Sequence, residues 1–454
     1  MLFMLLCWLP ALLSLFPGAF AYDAYEEWTQ VHTGAVTSHH PVLHVLTLGG
    51  LVELFYGLTG SYNVGMAVYS VLQMVLLAVV LTAVLRFLED FGVPGFFRLL
   101  ALMFFGLSPV MQLFAISATK DVLFTGAELL FFLYCLRFCL RREELLESRS
   151  GMAGFCVSAF CTMILRNNGL YIVLGMLAVL AVSCRRDWKR CWRKLAVMLV
   201  GILLPYLLYV GPFYSLLRVT QGGVEEMLSV PLQQMARVYR YDYDSLEQED
   251  IELLYSVVNR EDLEQYRATV SDFVKRGFNR QGFEENKAEF IKLWVRWGVS
   301  HPLTYINSFL VNTVDAWYPG AVVDGYRHGD GRSSYFDYQV DKPGTEVVLL
   351  PKLHDFYEHL SHDDEAQKAP LAFLVLSPGW YLVLALVIFL YFWRSRLYGM
   401  LLPGMLLLLH FGTVLLGPMA LVRYMLIFYY GFPVFLAMVL FRDRMEGVTG
   451  SGQV

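Results

Sequence analysis

The sequence predicts an all-α, polytopic membrane protein with about ten transmembrane helices and a mostly helical domain outside the membrane. Hydrophobic residues make up 57% of the 454 residues and mean hydropathy is +0.49, whereas soluble domains contain roughly 45–50% apolar residues. The apolar residues also form runs of about 17–25 residues, the length that crosses a bilayer as a helix. This composition excludes a disordered chain, and the net charge of −5 argues against a nucleic-acid partner.

Ten apolar segments are predicted to span the membrane, in order 2–20, 63–85, 99–116, 122–139, 151–165, 169–184, 196–216, 377–393, 398–417 and 424–441. We take the first as a retained helix. A cleaved signal peptide stays open as an alternative because Ala19-Phe20-Ala21 resembles a signal-peptidase site, although no Lys or Arg precedes the apolar run. The missing basic start also leaves a shortened amino end open. The fifth and sixth segments are joined by a tight turn at Arg166-Asn167-Asn168-Gly169.

The placement of Lys and Arg predicts that both termini are cytoplasmic. With ten spans, 16 basic residues fall in cytoplasmic connections and only Lys120, Arg166 and Arg423 fall in short outer connections. This asymmetry follows the positive-inside rule. The 16 are Arg86, Arg98, Arg137, Arg141, Arg142, Arg149, Arg185, Arg186, Lys189, Arg190, Arg193, Lys194, Arg394, Arg396, Arg442 and Arg444.

Three domains are predicted: a transmembrane module at 1–217, an outer helical domain at 218–368 and a second transmembrane module at 369–454. The outer domain has 16 basic and 26 acidic residues, a balance of −10, while the rest of the chain has a balance of +5. Helical periodicity recurs in it at 224–239, 245–257, 261–275, 283–297 and 301–316, and 319–351 is an irregular loop. A first outer loop covers 21–62. Its apolar stretch 42–58 is too short and glycine-interrupted to span, and could form an amphipathic helix that lies on the membrane.

The first outer loop contains two candidate sites. Asp23 follows the first helix directly, with Glu26 and Glu27 behind it, and a carboxylate there could act as a general base. A solvated loop is the alternative. Next come His39 and His40, which could bind a divalent metal or donate to a phosphate. Adjacent side chains in a strand or turn diverge, so interfacial polar residues are the favoured interpretation of the two histidines.

Three further candidates contain cations on the outer side. Lys120 and Asp121 form the turn before the fourth helix, where a lysine can pair with a lipid phosphate. Arg166 offers a rigid fork for phosphate, with Asn167 and Asn168 beside it. A local Lys–Asp pair and a plain Asn-Asn-Gly turn are the alternatives. In the outer domain, helical spacing puts Gln233, Gln234 and Arg237 on one side of a helix, where they could hold a sugar or phosphate. A helix side that simply faces solvent is the alternative.

Four segments together resemble an uncharacterised family of bacterial multi-pass proteins, grouped with the GT-C superfamily of glycosyltransferases: SHHPVLH (38–44), SATKDVLF (117–124), LRNNGLY (165–171) and SVPLQQMARV (229–238). The resemblance covers about 20–320. It implies a polyprenyl-phosphate sugar as donor, Asp23 as catalytic base, and Lys120 and Arg166 as ligands of the donor phosphate. Some members have paired acids in the first loop, whereas here Ala24 follows Asp23, so the base and any metal stay open.

The resulting hypothesis is an inverting glycosyltransferase of the bacterial plasma membrane with its active site outside. Its partners would be a polyprenyl-phosphate-linked sugar, membrane lipids and a glycan or lipid acceptor. A flippase or exporter of lipid-linked glycans, a polysaccharide polymerase and a non-catalytic scaffold are the alternatives. The absence of obvious ionisable pairs at mid-membrane, with Glu53 and Glu128 as nearest candidates, favours the enzyme.

Overall fold

The computed structural model describes residues 1–20, 23–321, 340 and 342–447. The part of the chain that it describes is all-helical, and its extended segments meet only in isolated β-bridges. The predicted loop 319–351 falls largely outside the described residues. The helices are α1 Leu2–Ser14, α2 Asp23–Thr33, α3 Val42–Thr59, α4 Tyr62–Asp90, α5 Gly95–Leu107, α6 Pro109–Ile116, α7 Lys120–Leu140, α8 Arg142–Glu147, α9 Arg149–Leu165, α10 Gly169–Ser183, α11 Trp188–Leu208, α12 Tyr214–Leu216, α13 Ser229–Tyr241, α14 Gln248–Val257, α15 Arg260–Glu264, α16 Asp272–Lys275, α17 Arg280–Ser300, α18 Pro302–Trp317, α19 Pro351–His362, α20 Asp364–Lys368, α21 Phe373–Leu376, α22 Pro378–Arg394, α23 Tyr398–Leu401, α24 Gly404–Leu415, α25 Leu426–Leu440 and α26 Arg442–Met445.

Six helices of the described chain are long and apolar enough to cross a membrane, or seven if α5 and α6 form one broken span. The six are Val42–Thr59, Tyr62–Asp90, Lys120–Leu140, Trp188–Leu216, Tyr398–Leu415 and Val422–Leu440. All of them except Val42–Thr59 coincide with predicted spans. The remaining predicted spans contain the shorter apolar helices α1, α9, α10 and α22.

The first predicted span is shorter than expected, because α1 ends at Ser14. Its 13 residues cover about 20 Å, less than the roughly 30 Å of a hydrocarbon layer. Pro17 follows, and proline has no N–H with which to continue a helix. The chain then runs extended, and Ala19 exchanges backbone hydrogen bonds with Ile116 (3.0 Å) and Ala118 (2.8 Å). This pairing sets residue 23 beside the start of α7.

The expectation that 42–58 is too short to span is also wrong by length, since α3 is one continuous helix of 18 residues. Its glycines do not interrupt it, because a glycine in a helix costs only about 1 kcal/mol relative to alanine. Gly49 also permits a close approach of α2: a Cβ there would lie 2.6 Å from a methyl carbon of Val31. Its length and composition are compatible with a span, and it packs closely on α4 where Gly65 meets the backbone of Val52.

The third predicted span, 99–116, is two helices bent by 56° at Ser108. Pro109 occupies the first turn of α6, a position that proline favours because its missing N–H is not needed there. The bend leaves the end of α6 near Gln73 of α4, whose amide donates to the carbonyls of Phe114 (3.2 Å), Ala115 (3.1 Å) and Ser117 (2.7 Å).

One end of the bundle gathers the arginine-rich connections. The Asp90 carboxylate at the end of α4 accepts a hydrogen bond from Arg137 at 2.6 Å, and the Asp90 backbone carbonyl accepts one from Arg141. Further contacts join the neighbouring connections at this end: Arg98–Glu89, Arg142–Asp187, Arg190–Glu143 and Arg444 with the Gly92 carbonyl. Because α7 runs from Lys120 to this end, Lys120 lies at the opposite end of the bundle.

The segment 224–305 has a hydrophobic core of its own, formed by residues that include Leu232, Leu254 and Trp297. The predicted helical periodicities correspond to α13, α14, α15 with α16, α17 and α18. Residues 342–362 pack elsewhere: α19 lies on α1, the Val347 N–H donates to the Phe16 carbonyl, and Tyr357 hydrogen-bonds Gln112.

Candidate functional site

Five charged residues meet at the end of the bundle opposite the arginine-rich end, and we call them the charged cluster: Asp23, Lys120, Asp121, Arg166 and Arg423. Lys120 Nζ lies 2.6 Å from Asp23 Oδ2, and Arg423 Nη2 lies 3.4 Å from the same oxygen. The Asp121 carboxylate forms ion pairs with both arginines. Arg423 Nε lies 3.3 Å from it and Arg166 Nη1 lies 2.9 Å from it. Acids and cations therefore alternate.

The local sequence explains how α7 presents its two members of the charged cluster. Thr119 is the N-cap of α7 and accepts a hydrogen bond from the Asp121 N–H. An acidic residue in the first turn is also favoured by the positive end of the helix dipole. Asp121 is fully buried, whereas the Lys120 side chain is 13% exposed and reaches the Asp23 carboxylate.

Two aromatic rings hold the arginines of the charged cluster. The Arg166 guanidinium lies 4.3 Å from the ring centre of Tyr424 and 5.7 Å from that of Phe124. Arg423 lies 5.3 Å from the same Tyr424 ring. A planar guanidinium stacks well on an aromatic face and keeps its edge N–H groups available. Both arginines are thus oriented with their edges towards the carboxylates.

Asp23 is ionised at neutral pH in this setting. Burial by itself raises the pKa of the Asp23 carboxyl, but the charges of Lys120 and Arg423 outweigh it and hold the pKa well below its usual range. The side chain is 23% exposed, so it remains reachable from solvent. With three cations and two carboxylates, the charged cluster carries a net charge of +1.

A second group of polar side chains lies beside the charged cluster. His40 is 3% exposed, and its Nδ1 lies 3.1 Å from Lys120 Nζ while its Nε2 lies 3.1 Å from Glu26. Lysine only donates, so in this arrangement Nδ1 accepts and Nε2–H donates to the carboxylate. Bonding to His40 is the main reason that the pKa of Glu26 is lowered.

A buried hydrogen-bonded relay connects this second group to the end of α6. The amide N–H groups of Gln73 donate to backbone carbonyls, and its side-chain oxygen accepts a hydrogen bond from the Tyr69 hydroxyl at 3.0 Å. Tyr69 must then accept from His44 Nε2–H at 2.6 Å, and His44 Nδ1 contacts Glu27. The relay of Glu27, His44, Tyr69 and Gln73 ties α2, α3 and α4 to the turn before α7.

A model of one protein family, described as "Family of unknown function (DUF6020)", matches residues 28–452. The chain belongs to this family. No curated protein and no solved structure matches it. Four members of the charged cluster lie within the matched stretch of the DUF6020 model, and Asp23 lies five residues before its start.

Arg423 is the member of the charged cluster that sequence reasoning did not assign to a site in this DUF6020 chain. Its contact with Asp23 joins residues 400 positions apart, a pairing that no local pattern reveals. A signal was nevertheless present: Lys120, Arg166 and Arg423 are the three basic residues in short connections that break the positive-inside asymmetry. All three meet in the charged cluster.

Other predicted site residues of the DUF6020 chain lie around or away from the charged cluster. Asn167 donates to the Ser38 carbonyl at 3.3 Å and links the α9–α10 turn to the first loop. Asn168 is the N-cap of α10 without a side-chain capping bond. The expected divergence of His39 and His40 is wrong, since their ring centres lie 4.6 Å apart.

The three predicted residues of α13 point into the outer domain rather than to the charged cluster. Gln233 donates to the Arg267 carbonyl. Gln234 donates to the Tyr305 carbonyl at 3.4 Å and accepts from Trp294 at 2.9 Å. Arg237 donates to the Tyr266 hydroxyl at 3.0 Å. These contacts join α13 to the helices packed against it.

Proposed function

We propose that this protein is an integral-membrane glycosyltransferase of the GT-C type, with about ten transmembrane helices and its active site on the outer face of the bacterial plasma membrane. It moves a sugar from a polyprenyl-phosphate carrier to a glycan, lipid or polymer of the cell envelope. The observation that carries the proposal is the charged cluster, in which an accessible carboxylate contacts two of three converging cations.

The two ends of the bundle support the orientation. Arginine-rich connections favour the cytoplasmic side, and the charged cluster lies at the other end. Burying five charges close to a membrane is costly, and ionisable residues retained there are functional candidates by default. A site at this depth suits a donor whose polyprenyl tail stays in the bilayer while its phosphate and sugar reach the surface.

The net charge of +1 matches the donor. A polyprenyl-phosphate sugar is a phosphodiester with one negative charge, and its phosphate gains charge as the glycosidic bond breaks. Lys120, Arg166 and Arg423 supply charge-assisted hydrogen bonds to phosphate oxygens. Because charge develops on those oxygens, the cations stabilise the transition state more than the bound donor, and that difference accelerates the reaction.

The proposed transfer step balances in charge and atoms. The acceptor hydroxyl oxygen attacks the anomeric carbon from the face opposite the phosphate, and the bond between that carbon and the phosphate oxygen breaks. The hydroxyl proton passes to the Asp23 carboxylate, while the bonding electrons leave with the phosphate as polyprenyl phosphate. Attack from the opposite face inverts the anomeric centre.

Donor binding also makes Asp23 a stronger base. With two cations against it, the Asp23 carboxylate is a weak base, because a low pKa reduces its affinity for the proton. A phosphate that pairs with Lys120 and Arg423 draws their charge away from Asp23 and adds a negative charge nearby. Both effects raise the pKa of Asp23 towards its ordinary value. The base therefore becomes competent when the donor is in place.

The direct test is sugar transfer by purified protein in detergent, with radiolabelled polyprenyl-phosphate sugars and candidate acceptors. We expect release of free polyprenyl phosphate together with labelled product. Lys120→Ala and Arg166→Ala should raise the KM for donor. Arg137→Ala is the matched control, because it removes a partly buried, ion-paired arginine at the opposite end of the bundle. Unchanged donor kinetics in both cluster variants would refute the phosphate assignment.

A flippase of lipid-linked glycans is the second candidate, and one observation favours it. Glu128 and His410 are buried inside the bundle with His410 Nδ1 2.9 Å from the carboxylate, an intramembrane ionisable pair of the kind that transporters use. Movement of intact carrier between leaflets of proteoliposomes, without release of polyprenyl phosphate, would support flipping. Growth of a labelled glycan by many carrier-linked units would instead support the polymerase alternative.

A further inference from the structure

Three metal-ligating side chains converge next to the charged cluster without belonging to it. They are Glu26 of α2 and the adjacent residues His39 and His40 in the loop before α3. One ligand atom from each lies within 4.8 Å of the other two. Neutral imidazole and carboxylate are common ligands of Zn²⁺ and related divalent metals.

The backbone of the loop explains why adjacent histidine rings lie together. The Ser38 N–H donates to the Thr220 carbonyl at 2.8 Å, and the Thr220 N–H donates to the Val36 carbonyl at 3.0 Å. Two residues after Thr220, the Gly222 N–H donates to Ser38 Oγ at 3.0 Å. The loop before α3 is thereby fixed on the segment that leads from α12 to the outer domain. The two rings meet edge to face at 79°.

The buried carboxylate of Glu27 is an independent observation that points to a ligand. Glu27 is 0% exposed, and its Oε1 has no hydrogen-bond partner among the described residues. That oxygen lies 3.7 Å from His40 Nδ1. A histidine that binds a metal through one ring nitrogen usually donates its other N–H to a carboxylate. Glu27 stands where that acceptor is needed.

We propose that Glu26, His39 and His40 bind a divalent transition metal, with Zn²⁺ chemistry, and that Glu27 orients His40 from behind. On binding, the metal takes the position at His40 Nε2 that the ring proton occupies, between Nε2 and Glu26. That single ring proton moves to Nδ1 and is donated to Glu27, so Lys120 releases the ring and keeps its contact with Asp23.

The environment favours this exchange. His39 and Glu26 are exposed, which gives the ion a path from solvent. Three protein ligands leave a position open for water or a ligand oxygen, as in catalytic rather than structural zinc sites.

Metal binding by the full-length protein without a polyhistidine tag is the test, and it needs neither donor nor acceptor. Titration with Co²⁺ should produce the ligand-field absorption of a nitrogen- and oxygen-bound ion, and isothermal titration with Zn²⁺ should show one high-affinity site. His39→Ala, His40→Ala and Glu26→Gln should each weaken binding by at least tenfold. Glu27→Gln should weaken it by about 10–100-fold, as loss of an outer-shell partner does.

The chain offers a matched control at a second cluster of the same kind, formed by His354, Asp355 and Glu358. His354→Ala should leave the high-affinity site intact, and thermal unfolding of each variant should show that it is folded. Affinity that is unchanged in all three ligand variants, or lost in His354→Ala, would overturn the proposal. Because binding is measured directly, failure of sugar transfer would leave this result untouched, and the reverse is also true.

Discussion

Replacing Asp23 by Asn should separate the two roles that we assign to the charged cluster. The amide is nearly isosteric with the carboxylate but cannot accept the hydroxyl proton. Lys120 keeps its contact with His40 and Arg423 keeps its contact with Asp121, so the cations stay in place. The net charge of the charged cluster rises from +1 to +2. We therefore expect donor binding to strengthen while turnover falls.

The size of each effect follows from the structure. Loss of a general base typically slows the chemical step about 10²–10⁴-fold. One charge removed at about 8 Å from the phosphate, with an effective dielectric of about 20, changes the binding free energy by about 2 kcal/mol. This corresponds to about 30-fold tighter donor binding at low salt, and less at physiological ionic strength.

Two measurements on Asp23→Asn test this reasoning: single-turnover sugar transfer at saturating donor, and equilibrium binding of the donor. The matched control is Asp272→Asn, which removes one of two carboxylates 2.8 Å from Lys275 in the outer domain. The control should change neither quantity. Transfer at the original rate would refute the role of Asp23 as base. Donor binding weakened to the same extent as turnover would show instead that Asp23 only holds the cations in place.

Three further predictions test the surroundings of the charged cluster. Arg423→Ala lowers the net charge of the charged cluster to zero and should raise the KM for the donor, while Asp23 stays ionised beside Lys120. An unchanged KM would show that Arg423 does not bind the donor phosphate. Tyr69→Phe leaves the Nε2–H of His44 and the side-chain oxygen of Gln73 without partners in a buried relay and should cost about 1–3 kcal/mol of stability, measured by denaturant or thermal unfolding against the exposed Tyr171→Phe. Gly169→Ala should lower the melting temperature, because a Cβ would lie 2.0 Å from the Thr162 carbonyl oxygen, while Gly57→Ala, with open space around it, should not.

Local and periodic features of the fold were predictable from sequence. Each of the ten apolar segments contains helix, the turn at 166–169 joins α9 to α10, and Asp121 lies in the first turn of α7. Helix interiors and caps depend on residues within a few positions of each other, so a single sequence contains their signal. The bend at Ser108 was also readable in principle, because Pro109 marks a helix start.

The assembly of the site was not predictable in the same way. Lys120 meets Asp23 across 97 positions and Arg423 meets Asp23 across 400, and such pairings depend on how helices pack rather than on periodicity. Gln233 illustrates a different difficulty. Helical spacing correctly grouped it with nearby polar residues, but an amphipathic helix does not by itself show whether its polar side faces a ligand or the neighbouring helices of its own domain.

The Glu128–His410 pair connects the arginine side of the charged cluster to the interior of the bundle. His410 Nε2 lies 2.7 Å from the Tyr424 carbonyl, and a carbonyl only accepts, so Nε2 carries a proton. The other nitrogen of the same ring, Nδ1, lies 2.9 Å from the Glu128 carboxylate, so the pair ties α24 to α7. It fixes the backbone of Tyr424, whose ring supports both Arg166 and Arg423.

The charged cluster therefore has two halves of different origin. Four members, Lys120, Asp121, Arg166 and Arg423, belong to elements of the bundle, whereas Asp23 comes with α2 and the first loop. In a transferase, the donor phosphate must stay bound while an acceptor enters and its hydroxyl is deprotonated. Cations fixed to the bundle suit the first task, and an exposed acid on a separate element suits the second. We expect any movement on donor binding to occur in α2 and the loop before α3, with α7 and Tyr424 unchanged.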